Sequence, residues 1–380
     1  MIRSEHDPGG GAAEIWATHV RLGAPNSLLL LLLAGTETAE VPGISAAGAT
    51  AASRRWTAAA DAELLLLGPG GHRPHALPPL PAGVSPALIS HVVRKELALL
   101  TLVVDLGCPV APAVAHLQLA EAPARCLSTG AAMAPERVRG LLALGRRWGQ
   151  RWGRQRGTPP PLLLAECVPG GTSTAQALLC GLGIGAAGLV SGSLKQPAHG
   201  LKGALVERGL RAAGLWDQAK AGGADPLAVV AAVGDPMQPL AAGVLLAAAE
   251  GGLPVLLAGG SQMAAVLALA LALAPAGLRP QLAGLAALAT TAWVAGEASS
   301  DLELLLKRIG DRWQVEPLAF ASSLRFGGCR SAPLRDYERG YVKEGVGAGG
   351  LALLWELSGR RPEALAEACD LACEQLQGCS

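Results

Sequence analysis

Short, almost unbroken aliphatic runs that stop on a small or acidic residue followed by glycine recur along this 380-residue chain. They are LLTLVVDLG (99–107), PLLLAECVPGG (161–171), AAGLVSG (186–192) and LPVLLAGG (253–260). A strand with one wet face alternates apolar and polar residues, whereas a strand that is apolar throughout is covered on both faces, the condition of a parallel sheet. Helical stretches at 135–151, 204–220 and 240–250 separate the runs and supply the covering layers. The expectation is therefore an α/β fold. QRGTPPP (155–161) reads as a turn into a strand and not as a linker, because the apolar pattern resumes at once.

Several classes of function fall away on composition. Half the chain is hydrophobic (51%) and the mean hydropathy is +0.35. Even so, the LLLLLL run (28–33) is far shorter than the roughly 20 apolar residues of a membrane span, and MAAVLALALALAPAGL (263–278) is broken by Pro275. These read as a buried strand and a buried helix. Thirty-one basic residues against thirty acidic ones, with no dense cluster of either, argue against nucleic acid as a partner. The opening MIRSEHDPGGG lacks the basic-then-apolar pattern of a secretory signal, so the protein reads as cytoplasmic. The eight cysteines include no CxxC pair and read as reduced, packed thiols. Cys369 and Cys373, four apart on a helix, have no nearby histidine to make a metal site with them, and no metal or cofactor is expected. Trp148 and Trp152, also four apart, read as packing anchors.

In open α/β sheets ligands bind outside the carboxyl ends of the strands, where Asp105, Glu166 and the pair Gly259-Gly260 fall. The strongest local signal is LLLAECVPGGTSTAQALL (162–179). A strand ends at Glu166, glycines turn the chain, and Thr172, Ser173 and Thr174 open a helix. Backbone N–H groups at such a start suit an anion such as phosphate; the same residues equally describe an ordinary Ser/Thr helix cap. With no lysine after the glycines and no GxGxxG, the turn is neither a Walker loop nor a dinucleotide fingerprint. Lys202 stands at the start of a helix, the wrong end for a cation, which either an anionic ligand or simple solvation would explain. His199 is a reserve donor to phosphate, and the other histidines read as surface or packing residues. Asp235, in GDPMQP, caps the next helix or binds a ribose hydroxyl. One further carboxylate stands out: Glu344, among the glycines of GYVKEGVGAGG (340–350).

Taken in order, these segments resemble one family. AECVPGGTSTAQALL is similar to the GEMGIGNTT segment of the nicotinate-nucleotide:dimethylbenzimidazole phosphoribosyltransferases, and YVKEGVGAGGLALL to their LRLGEGTGAALAL segment. ARCLSTGAAMAPERVRGLLALG (124–145), the segment at 83–107 and LAAGVLLAAAEGGLPVLLAGG extend the likeness over roughly residues 80–360. The resemblance implies a Rossmann-like sheet, a small helical domain built from the chain ends, and a homodimer. On that basis residues 1–25 are expected to be a flexible segment. Residues 26–380 would form one catalytic unit, with its α/β core at about 60–335 and a helical part at about 345–380. The chain departs from the family at Val168, where the family has glycine, at GDPMQP, and over residues 34–50, which have no counterpart.

The implied reaction moves the 5-phosphoribosyl group from nicotinate mononucleotide to a benzimidazole- or purine-like base. Nicotinate on ribose is a pyridinium and departs as an uncharged ring, so its departure needs neither metal nor acid. What the reaction needs is a base to take the azole N–H proton, a role the resemblance gives to Glu344. Glu166 would orient the ribose or nicotinate and offset charge developing on the sugar. Gly170, Gly171, Thr172, Ser173 and Lys202 would contact phosphate, with Asp235, Gly259, Gly260, Gly345 and Gly347 completing the nucleotide site. A protein that binds the nucleotide without catalysis is the alternative on the same scaffold. The missing nucleotide-loop motifs weigh against a kinase or dehydrogenase, and the missing GxSxG against acyl transfer.

Overall fold

The computed structural model describes residues 2–3, 11–119, 122–153 and 160–378. Most of QRGTPPP lies outside them. Seven parallel strands form one sheet: β1 (Leu28–Leu33), β2 (Leu100–Asp105), β3 (Leu117–Gln118), β4 (Leu162–Cys167), β5 (Val255–Ala258), β6 (Ala286–Thr290) and β7 (Leu318–Ala321). Their order, β3-β2-β1-β4-β5-β6-β7, reverses direction between β1 and β4, the switch point at which a doubly wound sheet opens a crevice. The sheet is α/β and Rossmann-like, as the strand pattern and the resemblance implied.

Alternation along each strand feeds two separate cores. Leu30, Leu32, Leu162, Leu164, Leu257 and Leu288 point to one face. Leu29, Leu31, Leu33, Leu163, Ala165 and Ala258 point to the other. Burying one leucine side chain contributes about 2 kcal/mol, so a run of six leucines can only be stable where both faces are covered. The first face packs under helices that include Pro135–Gly153, Gly171–Gly181, Met237–Gly251 and Ser261–Leu273. The second packs under Gly11–Gly23, Ala87–Glu96, Ala348–Leu357 and Pro362–Gly378, bringing helices from both chain ends together. Trp148 and Trp152 pack on the first core with ring centroids 5.9 Å apart. Cys369 and Cys373 are buried in the second, where burial raises both thiols above their usual range. Among the described residues no helix is long and apolar enough to cross a membrane.

The structure corrects three expectations. The core does not begin near residue 60: β1 pairs with both β2 and β4 and lies in the middle of the sheet. Residues 1–25 are not a loose arm throughout. Helix Gly11–Gly23 buries Trp16, which stacks on Phe320 at 5.1 Å and donates its indole N–H to the Leu285 carbonyl, while Arg3 bridges to the backbone of β7. AAGLVSG is not a strand: β4 and β5 pair directly, leaving no slot between them. Turns carry this segment across the top of the sheet to Ser191, with Gly183 and Gly188 at positive φ.

Candidate active site

A cavity of about 260 Å³ opens at the carboxyl ends of the strands. Its walls come from the segment after β1 (45–47), the turn after β4 (166–172), the start of the helix after β5 (260–262) and the loop 341–346. The turn after β4 is short because Gly170 takes φ 81° immediately before helix Gly171–Gly181.

Glu166 ends β4 with its side chain buried at the cavity wall. One carboxylate oxygen accepts the Val168 N–H at 2.8 Å and the other the Gln262 amide at 2.8 Å. Burial, reinforced by the nearby Asp235 and Glu344 carboxylates, pushes its pKa up to about 8, against the opposing pull of the Val168 and Gln262 hydrogen bonds. At neutral pH Glu166 is thus mainly a neutral acid.

Glu344 lines the same cavity. Oε1 accepts the N–H groups of Gly345 (3.2 Å) and Gly349 (3.0 Å), and Oε2 accepts the Thr290 hydroxyl and the Thr291 N–H, both at 3.0 Å. It therefore caps helix Ala348–Leu357, whose N-terminal dipole favours a carboxylate. Burial nevertheless outweighs these four donors and raises the pKa. The glycines around it are steric requirements. A Cβ on Gly347, which sits at φ 75°, would come within 2.7 Å of Ala165 Cβ, and one on Gly349 would run into the Thr290-Thr291 backbone.

The loop that carries Glu344 is strained. Val342, Lys343 and Val346 take φ values of 65°, 68° and 52°, conformations that β-branched residues rarely adopt. Lys343 N donates to Tyr341 O and Glu344 N to Val342 O, two successive bonds of γ-turn type at positive φ. Tertiary bonds hold this geometry: Val346 N to Glu166 O, Ser90 Oγ to Val346 O, and Thr291 Oγ1 to Lys343 O.

Behind the wall formed by Ser191 and Gly192 lies a buried charge cluster. Lys343, 2% exposed, pairs with Glu297 at 2.8 Å and also donates to the Leu194 carbonyl. Lys202, 1% exposed, donates to the Ser191 carbonyl at 2.7 Å. Burial lowers the Lys202 pKa to about 8, although the Glu297 charge pulls the other way. For Glu297 burial opposes ionisation, but bonds from Lys343, Ser191 and Ser300 outweigh it and hold the carboxylate below its usual range. Two ammonium groups against one carboxylate leave the cluster net positive.

Of the residues singled out in the sequence, Glu344, Glu166, Gly170, Gly171, Thr172, Gly260 and Gly345 line the cavity. Five do not. Lys202 lies behind Gly192, whose ideal Cβ would be 3.2 Å from the ammonium. Asp235 is fully buried: it caps helix Met237–Gly251 through the Met237 N–H and accepts from Thr174 Oγ1 at 2.5 Å, which makes it a structural cap and removes it from the nucleotide contacts. Ser173 is fully buried, its hydroxyl without a hydrogen-bond partner among the described residues. Gly259 precedes the wall, and Gly347 packs against the ends of β4 and β5. Asp105 binds its own turn, through the Gly107 and Cys108 N–H groups, and His199 contacts the Ser299 carbonyl. The sequence reading missed Lys343, Gln262 and Asp61. Lys343 stood next to Glu344, and Gln262 two residues past the Gly259-Gly260 pair; Asp61, inside the apolar helix Thr57–Leu67, gave only the anomaly of an acid in a buried segment.

The chain matches the phosphoribosyltransferase class. A family model described as "Phosphoribosyltransferase" matches residues 87–284. The chain belongs to the nicotinate-nucleotide:dimethylbenzimidazole phosphoribosyltransferase family, in a divergent branch that it shares with the UPF0284 proteins. It is 51% identical over 378 residues to a UPF0284 protein of Prochlorococcus marinus (strain MIT 9313), covering 97% of this chain and 91% of that protein. With a UPF0284 protein of Gloeobacter violaceus (strain ATCC 29082 / PCC 7421) it shares 48% identity over 343 residues, covering 89% and 85%. Among solved structures it resembles CobT from Thermus thermophilus, with TM-score 0.54 at 20% identity over 96% of this chain and 93% of that one. It is also similar to a nicotinate-nucleotide-dimethylbenzimidazole phosphoribosyltransferase structure from the same organism, with TM-score 0.52 at 18% identity over 96% and 92%. At these identities the two structures speak to the fold.

Proposed function

We propose that the protein transfers the 5-phosphoribosyl group of nicotinate mononucleotide to the ring nitrogen of a benzimidazole-type base, giving an α-ribazole-type 5′-phosphate and nicotinate for the lower ligand of a cobamide. The observation that carries this reading is the convergence of two carboxylates, the buried Glu166 and the half-buried Glu344, on one strand-end cavity with a wall backed by the Lys202–Lys343 cluster. The net positive charge behind Ser191-Gly192 and the start of helix Gly171–Gly181 favour a phosphate at that end. The ribose and its pyridinium would then lie toward Glu166. A cation brought alongside would lower the Glu166 pKa, converting a neutral acid into its ionised partner.

Glu344 is the general base. As the azole nitrogen attacks C1′ of the ribose, the azole N–H proton passes to Glu344, and the electron pair of the breaking C1′–N bond returns to the pyridine ring, which leaves as nicotinate. Attack opposite the leaving ring inverts C1′ and yields the α-linkage. Four donors occupy Glu344, so proton uptake must displace one of them. Three are backbone groups; the Thr290 hydroxyl alone can rotate and turn from donor to acceptor.

Those same four donors favour a second reading, in which Glu344 only holds the strained loop and the protein binds the nucleotide without turning it over. Purified protein incubated with nicotinate mononucleotide and a panel of bases, followed by mass for nicotinate and α-nucleotide, separates the two. Product with any base supports the transferase. Binding of the nucleotide with no product from any base makes the protein a binder.

A further inference from the structure

Two acids stand two residues apart in helix Thr57–Leu67, and their environments differ. Glu63 is fully bonded, accepting from the His75 N–H and the Ala113 N–H at 2.9 Å each and facing His75 Nδ1 at 2.5 Å. It does not line the cavity, and it ties down a loop. Asp61 does line the cavity and is only 6% exposed. Its partners are the Ser85 hydroxyl at 2.5 Å on Oδ1 and the Cys167 thiol, a weak donor, at 3.3 Å on Oδ2. Among the described residues no ion pair to Asp61 is formed. Each carboxylate oxygen accepts about two hydrogen bonds, so Asp61 keeps acceptor capacity at the cavity wall, and a buried carboxylate left in that state is destabilising.

Its place in the cavity is fixed by the turn that also holds Glu344. Asp61 bonds Ser85; the next residue, Pro86, packs on Gly345, and Ser90 on the following helix bonds the Val346 carbonyl. The buried Tyr337 hydroxyl, raised mainly by burial, senses both the Glu344 and the Asp61 charges. Both acids line the one cavity, whose walls also include the apolar side chains of Leu77, Leu80 and Pro86.

We propose that Asp61 selects the acceptor base: it accepts a hydrogen bond from an amino or hydroxyl group on the acceptor ring, remote from the nitrogen that Glu344 deprotonates. The ligand class is a planar bicyclic azole with a second hydrogen-bond donor, in preference to an alkyl-substituted ring of the same shape. A methyl group set against Asp61 would leave the carboxylate unsatisfied, whereas a donor completes it. This inference rests on the phosphoribosyl-transfer reading, and it assigns Asp61 a specificity role, not a part in the chemical step.

The test compares benzimidazole, 5,6-dimethylbenzimidazole and the 4- and 5-aminobenzimidazoles as acceptors for the wild type, Asp61→Ala and Asp61→Asn. The wild type should prefer the better amino compound over dimethylbenzimidazole by about 10-fold in kcat/KM, the worth of one buried hydrogen bond. In Asp61→Ala the preference should fall to within about 2-fold, carried by KM, while kcat on unsubstituted benzimidazole stays within about 3-fold of wild type. Asp61→Asn, which preserves shape, should fall between them. A wild type indifferent to the amino group overturns the proposal, and so does a parallel loss with every ring in both variants, the signature of a structural role. If no ring gives nicotinate, the transferase reading fails. The ratio of calorimetric dissociation constants for the same rings, measured with nicotinate mononucleotide present, then decides on Asp61 alone: a ratio unchanged in Asp61→Ala overturns the selection role.

Discussion

Two chain segments deliver a carboxylate to the same cavity by opposite means. The turn after β4 presents Glu166 at the end of a regular strand, and its one positive φ falls on a glycine, Gly170. The loop 341–347 presents Glu344 through three non-glycine residues at positive φ, held in place by bonds to β4, to helix Ala87–Glu96 and to Thr291. Strain of this kind is of order 1–3 kcal/mol per residue and persists only where the surroundings over-determine it. On the proposed function the contrast is a division of labour: the relaxed turn serves binding, and the strained loop fixes one group. Substitutions on either side can break that division.

The largest effect should come from Glu344→Gln. An amide cannot take the azole proton, so turnover should fall by about 10²–10⁴-fold while nicotinate mononucleotide binds with affinity close to wild type. Steady-state nicotinate release set beside calorimetric binding reads both quantities. A variant that keeps more than a tenth of the parent turnover would remove the chemical half of the contrast.

Next in size is Lys343→Met, which takes the ammonium from a buried ion pair whose side chains are 2% and 5% exposed. Removing one partner of such a pair is destabilising by about 3 kcal/mol, and the double variant Lys343→Met/Glu297→Met should recover most of it. Urea unfolding midpoints of the three proteins test this. Because Lys343 is itself one of the strained residues, equal midpoints in the single variant and the parent would mean that the pair does not anchor the loop.

How much of this was legible in the sequence follows the same contrast. β2, β4 and β5 announce themselves as apolar runs closing on a small or acidic residue and glycine, and the position of Glu166 follows from where β4 stops. AAGLVSG carries the same signal and is no strand, because membership of a sheet depends on a free neighbouring edge, which local sequence does not encode. β6 and β7, AALAT and LAFA, are too short and alanine-rich to stand out from the helices around them. Glu344 stood out as an acid among glycines, but its role came only through the resemblance to a family segment, and nothing in local propensity predicts valine at φ 65°. Lys202 looked like a ligand residue because a cation at a helix start is unusual, and burial with the nearby Glu297 explains it; of the two roles open to Asp235, the cap is the one the hydrogen bonds show. Asp61 was invisible because its meaning lies in Ser85 and Cys167, 24 and 106 residues away.

Glu166 predicts a pH effect of intermediate size. Its pKa is raised from 4.5 to about 8, so between those values the folded protein holds a proton that the unfolded chain has released. Folding is then favoured at the acid end of the window, and stability declines as pH rises from about 4.5 towards 8, with the full penalty of the buried charge present above that. Asp61 and Asp235, both raised to about 6, add to the decline only in its lower part. The part of the slope between pH 6 and 8 should therefore belong to Glu166 together with Glu344, whose pKa burial also raises. Thermal midpoints of Glu166→Gln should fall less steeply over that range than those of the parent, which should drop by a few degrees. Parallel curves would mean that Glu166 stays ionised in the folded protein.

The smallest effect expected is the most direct test of strain. Val342 is partly buried and sits at φ 65°, where glycine is at ease. Trimming an ordinary, well-packed valine to glycine is destabilising, through lost burial and a more flexible unfolded chain. At position 342 relief of backbone strain, worth about 1–2 kcal/mol for a non-glycine residue in left-handed geometry, should offset most of that loss. Val342→Gly should therefore unfold within about 1 kcal/mol of the parent, while Gly170→Val, the mirror change in the relaxed turn, should be destabilising by more than about 1 kcal/mol. The same relief predicts a functional penalty: a loop freed at residue 342 holds Glu344 less firmly, so kcat should fall several-fold although stability is kept. Should Val342→Gly lose stability like a typical core truncation, the loop is not storing strain, and the placement of Glu344 must be credited to its four hydrogen bonds alone.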